Sequence, residues 1–149
     1  MFRTLFIGAV LCCLVGCNAY TVQKLPYDAA LQTIVIERND KVLVSDFEET
    51  LKYILRDLGL KVRVAQHPYY SYDPSTYVLH YTARQSWDFT AYLSLAEVTL
   101  YKNNQKVAKG TYKHRGASCS LSPFKWQGTE SKIRPLLEEL FEEYQGRRP

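Results

Sequence analysis

The stretch SDFEETLKYILRDLGLKVRVA, residues 45–65, carries two periodicities joined at Gly59. Before the glycine, Phe47, Leu51, Ile54, Leu55 and Leu58 recur at helical spacing, with Glu48, Glu49, Lys52, Arg56 and Asp57 on the other face. Ser45 stands at capping-box spacing from Glu48, and Gly59 supplies the stop. After it, Leu60, Val62 and Val64 alternate with Lys61 and Arg63. That alternation predicts a strand in a sheet with one buried and one wet face. A one-faced helix followed by a one-faced strand predicts a layer of helix packed on a layer of sheet.

The flanking segments extend the pattern. TIVIE, residues 33–37, is a β-branched run and predicts a strand. HPYYSYDPS, residues 67–75, is a loop bracketed by Pro68 and Pro74. Residues 76–84 read as a strand, and 88–101 with 105–114 as a long hairpin. Its turn falls near Asn103 and Asn104, which tolerate left-handed backbone. A last helix begins near residues 129–131 and directs Ile133, Leu137, Leu140, Phe141 and Tyr144 to the core. Pro135 is expected in or just beyond its first turn. The order β-α-β-β-β-β-α predicts an α+β, two-layer sandwich: a mostly antiparallel sheet with two helices on one face. DFTAYLSLAEVTLY, residues 88–101, has apolar residues on both sides, with Ala96, Val98 and Leu100 opposed to Leu93, Leu95 and Tyr101. Either a bulge switches the phase and buries both sets, or the second set forms an exposed strip.

The amino-terminal segment gives an address. Arg3 precedes the apolar run TLFIGAVLCCLVG, residues 4–16, which is shorter than the roughly 20 apolar residues of a spanning helix. Residues 1–16 have the anatomy of a signal peptide. The closing Leu14-Val15-Gly16-Cys17 resembles the lipobox of bacterial lipoproteins. The resemblance implies cleavage between Gly16 and Cys17, a diacylglycerol on the Cys17 thiol, and an acyl chain such as palmitate on the new amino group. Two or three chains anchor permanently where one does not. Asn18 stands where lipoproteins retained in the inner membrane carry Asp, which implies the outer membrane of a Gram-negative cell, facing the periplasm. Residues 17–32 contain Pro26 and no sustained period, and read as a lipidated tether. Residues 33–149 read as a single periplasmic domain.

Of the four cysteines, Cys12 and Cys13 leave with the signal and Cys17 is blocked, so Cys119 stands alone, most simply as a buried thiol. A formal net charge of +4 is too mild for a nucleic-acid partner. His67, His80 and His114 show no metal-binding spacing and no CxxC is present, so no metal and no cofactor beyond the acyl chains is expected. Glu138-Glu139 and Glu142-Glu143 recur as the solvated face of the last helix. No catalytic residue is assigned; the rival reading is a periplasmic hydrolase or thiol enzyme using Cys119 beside His114.

Binding has more support. If Ala108, Gly110 and Tyr112 face the helices, then Lys109, Lys113 and Arg115 face outward together with Lys61 and Arg63. Such a face suits anionic lipid or an acidic envelope protein. Tyr69, Tyr70 and Tyr72 in the neighbouring loop either stack on sugar rings or pack against the sheet. The element order resembles, in layout only, the TolB amino-terminal-like and lipopolysaccharide-assembly lipoprotein domains over residues 33–145. The expected function is a membrane-anchored periplasmic lipoprotein that acts by binding, as an accessory of envelope assembly or transport. A structural lipoprotein that self-associates through Leu93, Leu95 and Tyr101 is the third reading.

Overall fold

The computed structural model describes residues 18–28, 30–70, 73–115 and 123–145. Its elements are β1 (Asn18–Gln23), β2 (Thr33–Glu37), α1 (Phe47–Asp57), β3 (Lys61–Ala65), β4 (Tyr77–Asp88), β5 (Thr90–Lys102) and β6 (Gln105–His114). A 3-10 turn (Pro123–Trp126), α2 (Thr129–Leu140) and the short α3 (Glu142–Gln145) follow. The strands form one sheet in the order β1-β6-β5-β4-β2-β3. β1, β6, β5 and β4 pair antiparallel, while β2 runs parallel to both β3 and β4. The expected α+β sandwich is the observed one, and the parallel part is the β2-α1-β3 unit whose two periodicities meet at Gly59.

Gly59 takes φ 86°, a left-handed value that glycine adopts without steric cost, and its N–H donates to Arg56 O at 2.9 Å. The capping box does not form. Asp46 is the N-cap, and Glu48 turns away to accept from Arg38 at 2.7 and 3.0 Å and from the Tyr81 hydroxyl at 3.1 Å. A charge-assisted fork outweighs a single backbone N–H. Phe47, Leu51, Ile54 and Leu55 of α1 and Ile133, Leu136, Leu137 and Leu140 of α2 are buried against Ile34, Ile36, Leu79, Val98, Leu100 and Tyr112 of the sheet. α2 comes closest at Gly110, where an added Cβ would lie 3.0 Å from Leu136. Pro135 sits in the second turn of α2, just beyond the first as expected; it faces solvent and leaves the Ser131 carbonyl without its helical donor.

Two boundaries depart from expectation. Asn18–Gln23 is not tether but an edge strand, paired with β6 from Asn18 opposite His114 to Gln23 opposite Lys109. Leu25 and Leu31 beyond it are buried, and Leu25 N–H donates to Leu140 O at 2.9 Å. β4 continues past residue 84 to Asp88 and turns tightly through Phe89 into β5, so a second hairpin precedes the expected one. The other turn, at Asn103 and Asn104, has the expected left-handed backbone, with φ 51° and 62°. A bulge does switch the phase of β5: Arg84 pairs with Leu95 and Gln85 with Leu93, leaving Ser94 as the extra residue. Leu93 thereby joins the core, while Leu95 and Tyr101 stay half-buried on the outer face. The continuous apolar strip expected from these three residues is not formed.

Candidate functional site

In β2, Ile34 and Ile36 point toward the helices, so Val35 and Glu37 point to the outer face of the sheet. Both are buried, and His67 and Tyr69 of the loop that follows β3 lie against Glu37. Glu37 Oε1 lies 2.5 Å from His67 Nδ1 and 3.6 Å from His80 Nε2, and Oε2 accepts the Tyr69 N–H at 2.8 Å. Burial pushes the Glu37 carboxyl up, but the His67 and Tyr69 hydrogen bonds and the His80 charge outweigh it and hold it below the usual glutamate range. The carboxylate is therefore ionised at neutral pH and already engaged. The loop is tied again by Arg63, which donates to the Tyr69 hydroxyl at 2.7 Å and lies 5.3 Å from its ring centroid.

Above Glu37 opens a cavity of about 380 Å³, lined by His67, Tyr69, Tyr70, His80 and Tyr101 and by Asn103 and Asn104 of the β5–β6 turn. The His80 and Tyr101 rings meet tilted, with centroids 4.7 Å apart, and Tyr70 is left largely exposed. The volume suits a small polar ligand or one unit of a larger one. Flat aromatic faces beside amides and an ionised carboxylate can hold a polar ring by stacking and hydrogen bonds. A carboxylate held by two imidazoles and a backbone N–H is poorly placed to act as a free general base. Among the described residues, no group of three His, Cys, Asp or Glu side chains has the geometry to hold a metal ion.

The structure divides the expected basic face. Lys61 and Arg63 lie on β3, one edge of the sheet, whereas Lys109, Lys113 and Arg115 belong to β6 or follow it, four strand positions away. Glu37 and Glu97 stand between them, and Lys109 pairs with Glu97 at 3.0 Å. Lys113 and Arg115 are exposed. Alternation placed each side chain on the correct face, but strand order separated them. Tyr69 and Tyr70 line the cavity; Tyr72, Cys17 and Cys119 lie outside the described residues. His114, the base of the thiol-enzyme reading, is buried, and its Nδ1 is 3.3 Å from Asn18 Oδ1.

Sequence reasoning passed over Glu37, His67, His80 and Lys132. The signal for Glu37 was its position at the end of a β-branched run. Lys132 is fully buried on α2 beside the start of β5, its ammonium donating to Lys125 O at 2.6 Å and Leu93 O at 3.4 Å. Burial pulls its pKa down to about 8. Burial, helped by the charges of Lys132 and Lys125, also lowers that of His114, whose Nε2 is buried without a hydrogen-bond partner among the described residues.

No protein-family model and no curated protein matches the sequence. Similar solved structures include two PelC dodecamers from Paraburkholderia phytofirmans, one of them a point variant. Each is 17% identical with a TM-score of 0.57, and they span 87% and 88% of this chain and 99% of the PelC chain. The layout expected to resemble TolB amino-terminal-like domains is thus shared, over nearly the whole chain, with PelC.

Proposed function

We propose that this protein is a lipid-anchored envelope lipoprotein that acts by binding, as one subunit of an assembly or transport system of the outer membrane, and that it is not an enzyme. The observation that carries the reading is the architecture shared with PelC over 87% of this chain and 99% of that one, since the solved PelC is a dodecamer. Leu14-Val15-Gly16-Cys17 supports the anchor. The absence of a tether strengthens the geometry: β1 begins at Asn18, so a lipid on Cys17 would hold the folded domain directly against the membrane. The Glu37 cavity lies toward the opposite end of the sheet, beside the β5–β6 turn, and so is distant from that attachment point.

The test is expression of the wild type and Cys17→Ala in a Gram-negative host, followed by membrane fractionation, intact mass and sedimentation of the detergent-solubilised product. The expected wild type lacks residues 1–16, carries a lipid-sized mass gain and sediments as a multi-subunit particle; Cys17→Ala loses the lipid mass. An unlipidated, soluble monomer overturns the reading. The self-association reading is kept in one form only, as a multi-subunit assembly of folded domains, because Leu93 is buried and no continuous strip remains to mediate it.

A further inference from the structure

The turn between β4 and β5 combines features that the folded domain does not need. Phe89 is 92% exposed and Trp87 75% exposed, the largest exposures of any aromatic side chains described. Phe89 also has φ 57°, a left-handed value unfavourable for a bulky residue and natural for glycine or asparagine. Trp126 reaches the same place, its Nε1–H directed at the Asp88 carbonyl at 3.4 Å, and is 40% exposed. The chain has two tryptophans, and both are therefore at this tip. Asp88, the acid between Trp87 and Phe89, is neutralised by an ion pair with the buried Lys125. Exposed Arg84 and Lys113 flank the tip on the outer face, and Arg115 follows β6.

The tip is also the end at which the chain leaves the described structure. Asn18 pairs with His114, one residue beyond the Lys113–Leu95 pair, so it is level with the β5 bulge. From there to Phe89 is about five residues, or about 15 Å at strand rise. Cys17 is bonded to Asn18 and lies within one Cα–Cα step of about 3.8 Å. The aromatic tip thus projects about 10 Å past the attachment point of the lipid, the depth at which amphipathic elements settle in the headgroup boundary.

Resting on the lipid-anchor reading above, we propose that the β4–β5 tip and Trp126 form a second membrane contact. Trp87, Phe89 and Trp126 enter the bilayer interface, and Arg84, Lys113 and Arg115 lie at its phosphates. Tryptophan suits this boundary, with an apolar ring and an N–H that remains hydrogen-bonded. The exposed aromatic surface is covered by lipid, and the position of the chain end decides between lipid and a protein partner. A contact of this kind fixes the tilt of the domain, which acyl chains alone leave free to swivel, and keeps the Glu37 cavity away from the membrane.

Because both tryptophans are at the tip, their emission reads it directly. The lipidated wild-type protein, with Trp126→Phe to isolate Trp87, is reconstituted into phosphatidylcholine–phosphatidylglycerol vesicles with or without bromine on the upper acyl chain. Trp87 is expected to shift to the blue and lose most of its emission to the brominated lipid. Phe89→Gly, which frees the backbone and removes no packing, is expected to keep the fold by circular dichroism and to reduce the quenching severalfold. A lipidated protein whose Trp87 emission stays water-like and unquenched overturns the contact and leaves the anchor standing. If the purified chain carries no lipid, the anchor reading fails. Added to the same vesicles, that chain should still be quenched if the tip binds membrane by itself, and absence of quenching overturns both.

Discussion

Glu37 and Lys132 are both buried charges packed against one sheet, and the fold treats them in opposite ways. Glu37, toward the β5–β6 end, receives a backbone N–H and lies against two imidazoles. Lys132, beneath the β4–β5 end, finds two backbone carbonyls and, among the described residues, no carboxylate. Beside it, His114 Nε2 has no partner among the described residues, and beyond it Phe89 holds a left-handed backbone. Each of these features costs folding free energy. The cavity end is thus internally satisfied, and the tip end is not. Uncompensated groups collect where the proposed contact with a second phase lies, which is where a folded chain on its own has least reason to keep them.

The largest consequence is that ionisation costs stability at the tip end and supplies it at the cavity end, each in its own pH window. Lys132 titrates near 8 when folded and near the ordinary lysine value of about 10.4 when unfolded. Between these values the unfolded chain binds more protons, so stability rises with pH, by on the order of 3 kcal/mol over the full span. The groups facing it are Lys125, His114 and Tyr92, none of them a carboxylate. Tyr112, raised by burial, works the other way, but only above pH 10. Urea unfolding from pH 8 to 10 should show the rise in the wild type and a flat profile in Lys132→Met. A wild-type stability that falls across this window would erase the contrast between the ends.

At the cavity end the charged form is the favoured one, so stability again rises with pH, but in the acid range. The Glu37 carboxyl is held below its ordinary value, so its contribution is complete above the unfolded pKa of about 4.3 and is lost as pH falls through the folded one. Glu37→Ala removes the acceptor of the Tyr69 N–H and the partner of His67, for a loss of about 2 kcal/mol. Hydrogen exchange at the Tyr69 amide should accelerate in step. Glu37→Gln keeps an acceptor for that N–H and should lose about half as much. If Glu37→Gln destabilises as much as Glu37→Ala, the charge rather than the hydrogen bond closes the loop.

How far each end could be read from sequence follows the same division. The β2-α1-β3 unit was legible because its signals are local: an apolar stripe, a glycine, an alternation. β1 was not, because Tyr20 and Val22 offer only two apolar positions before Pro26, and its place comes from backbone pairing with β6, distant in sequence. The extension of β4 through Gln85, Ser86 and Trp87 was hidden for the same reason, since a strand arm that projects from the core buries nothing to mark it. His67 meets Glu37 because the loop after β3 returns over the strand, and His80 because β4, distant in sequence, pairs with β2. The basic residues were assigned to the correct face and the wrong neighbourhood, since alternation specifies faces but says nothing of strand order.

The smallest expected effect tests the comparison most sharply, because it sets two turns of one sheet against each other. At the β5–β6 turn, left-handed backbone is occupied by Asn103 and Asn104; at the β4–β5 turn, by Phe89. Relief of the left-handed strain in Phe89→Gly contributes about 1–2 kcal/mol, opposed by about 0.5–1 kcal/mol of extra freedom in the unfolded glycine. Phe89 makes almost no packing contact at 92% exposure, so the net change should be a stabilisation of about 1 kcal/mol or less. Asn103→Phe, the converse exchange at the other turn, should destabilise by about 1 kcal/mol. Thermal unfolding of the two variants side by side checks the pair. If the folded protein tolerates glycine at 89 better than phenylalanine, the phenylalanine is not there for the fold. A marked loss of stability in Phe89→Gly would instead make the ring part of the structure and remove the reason to look for lipid around it.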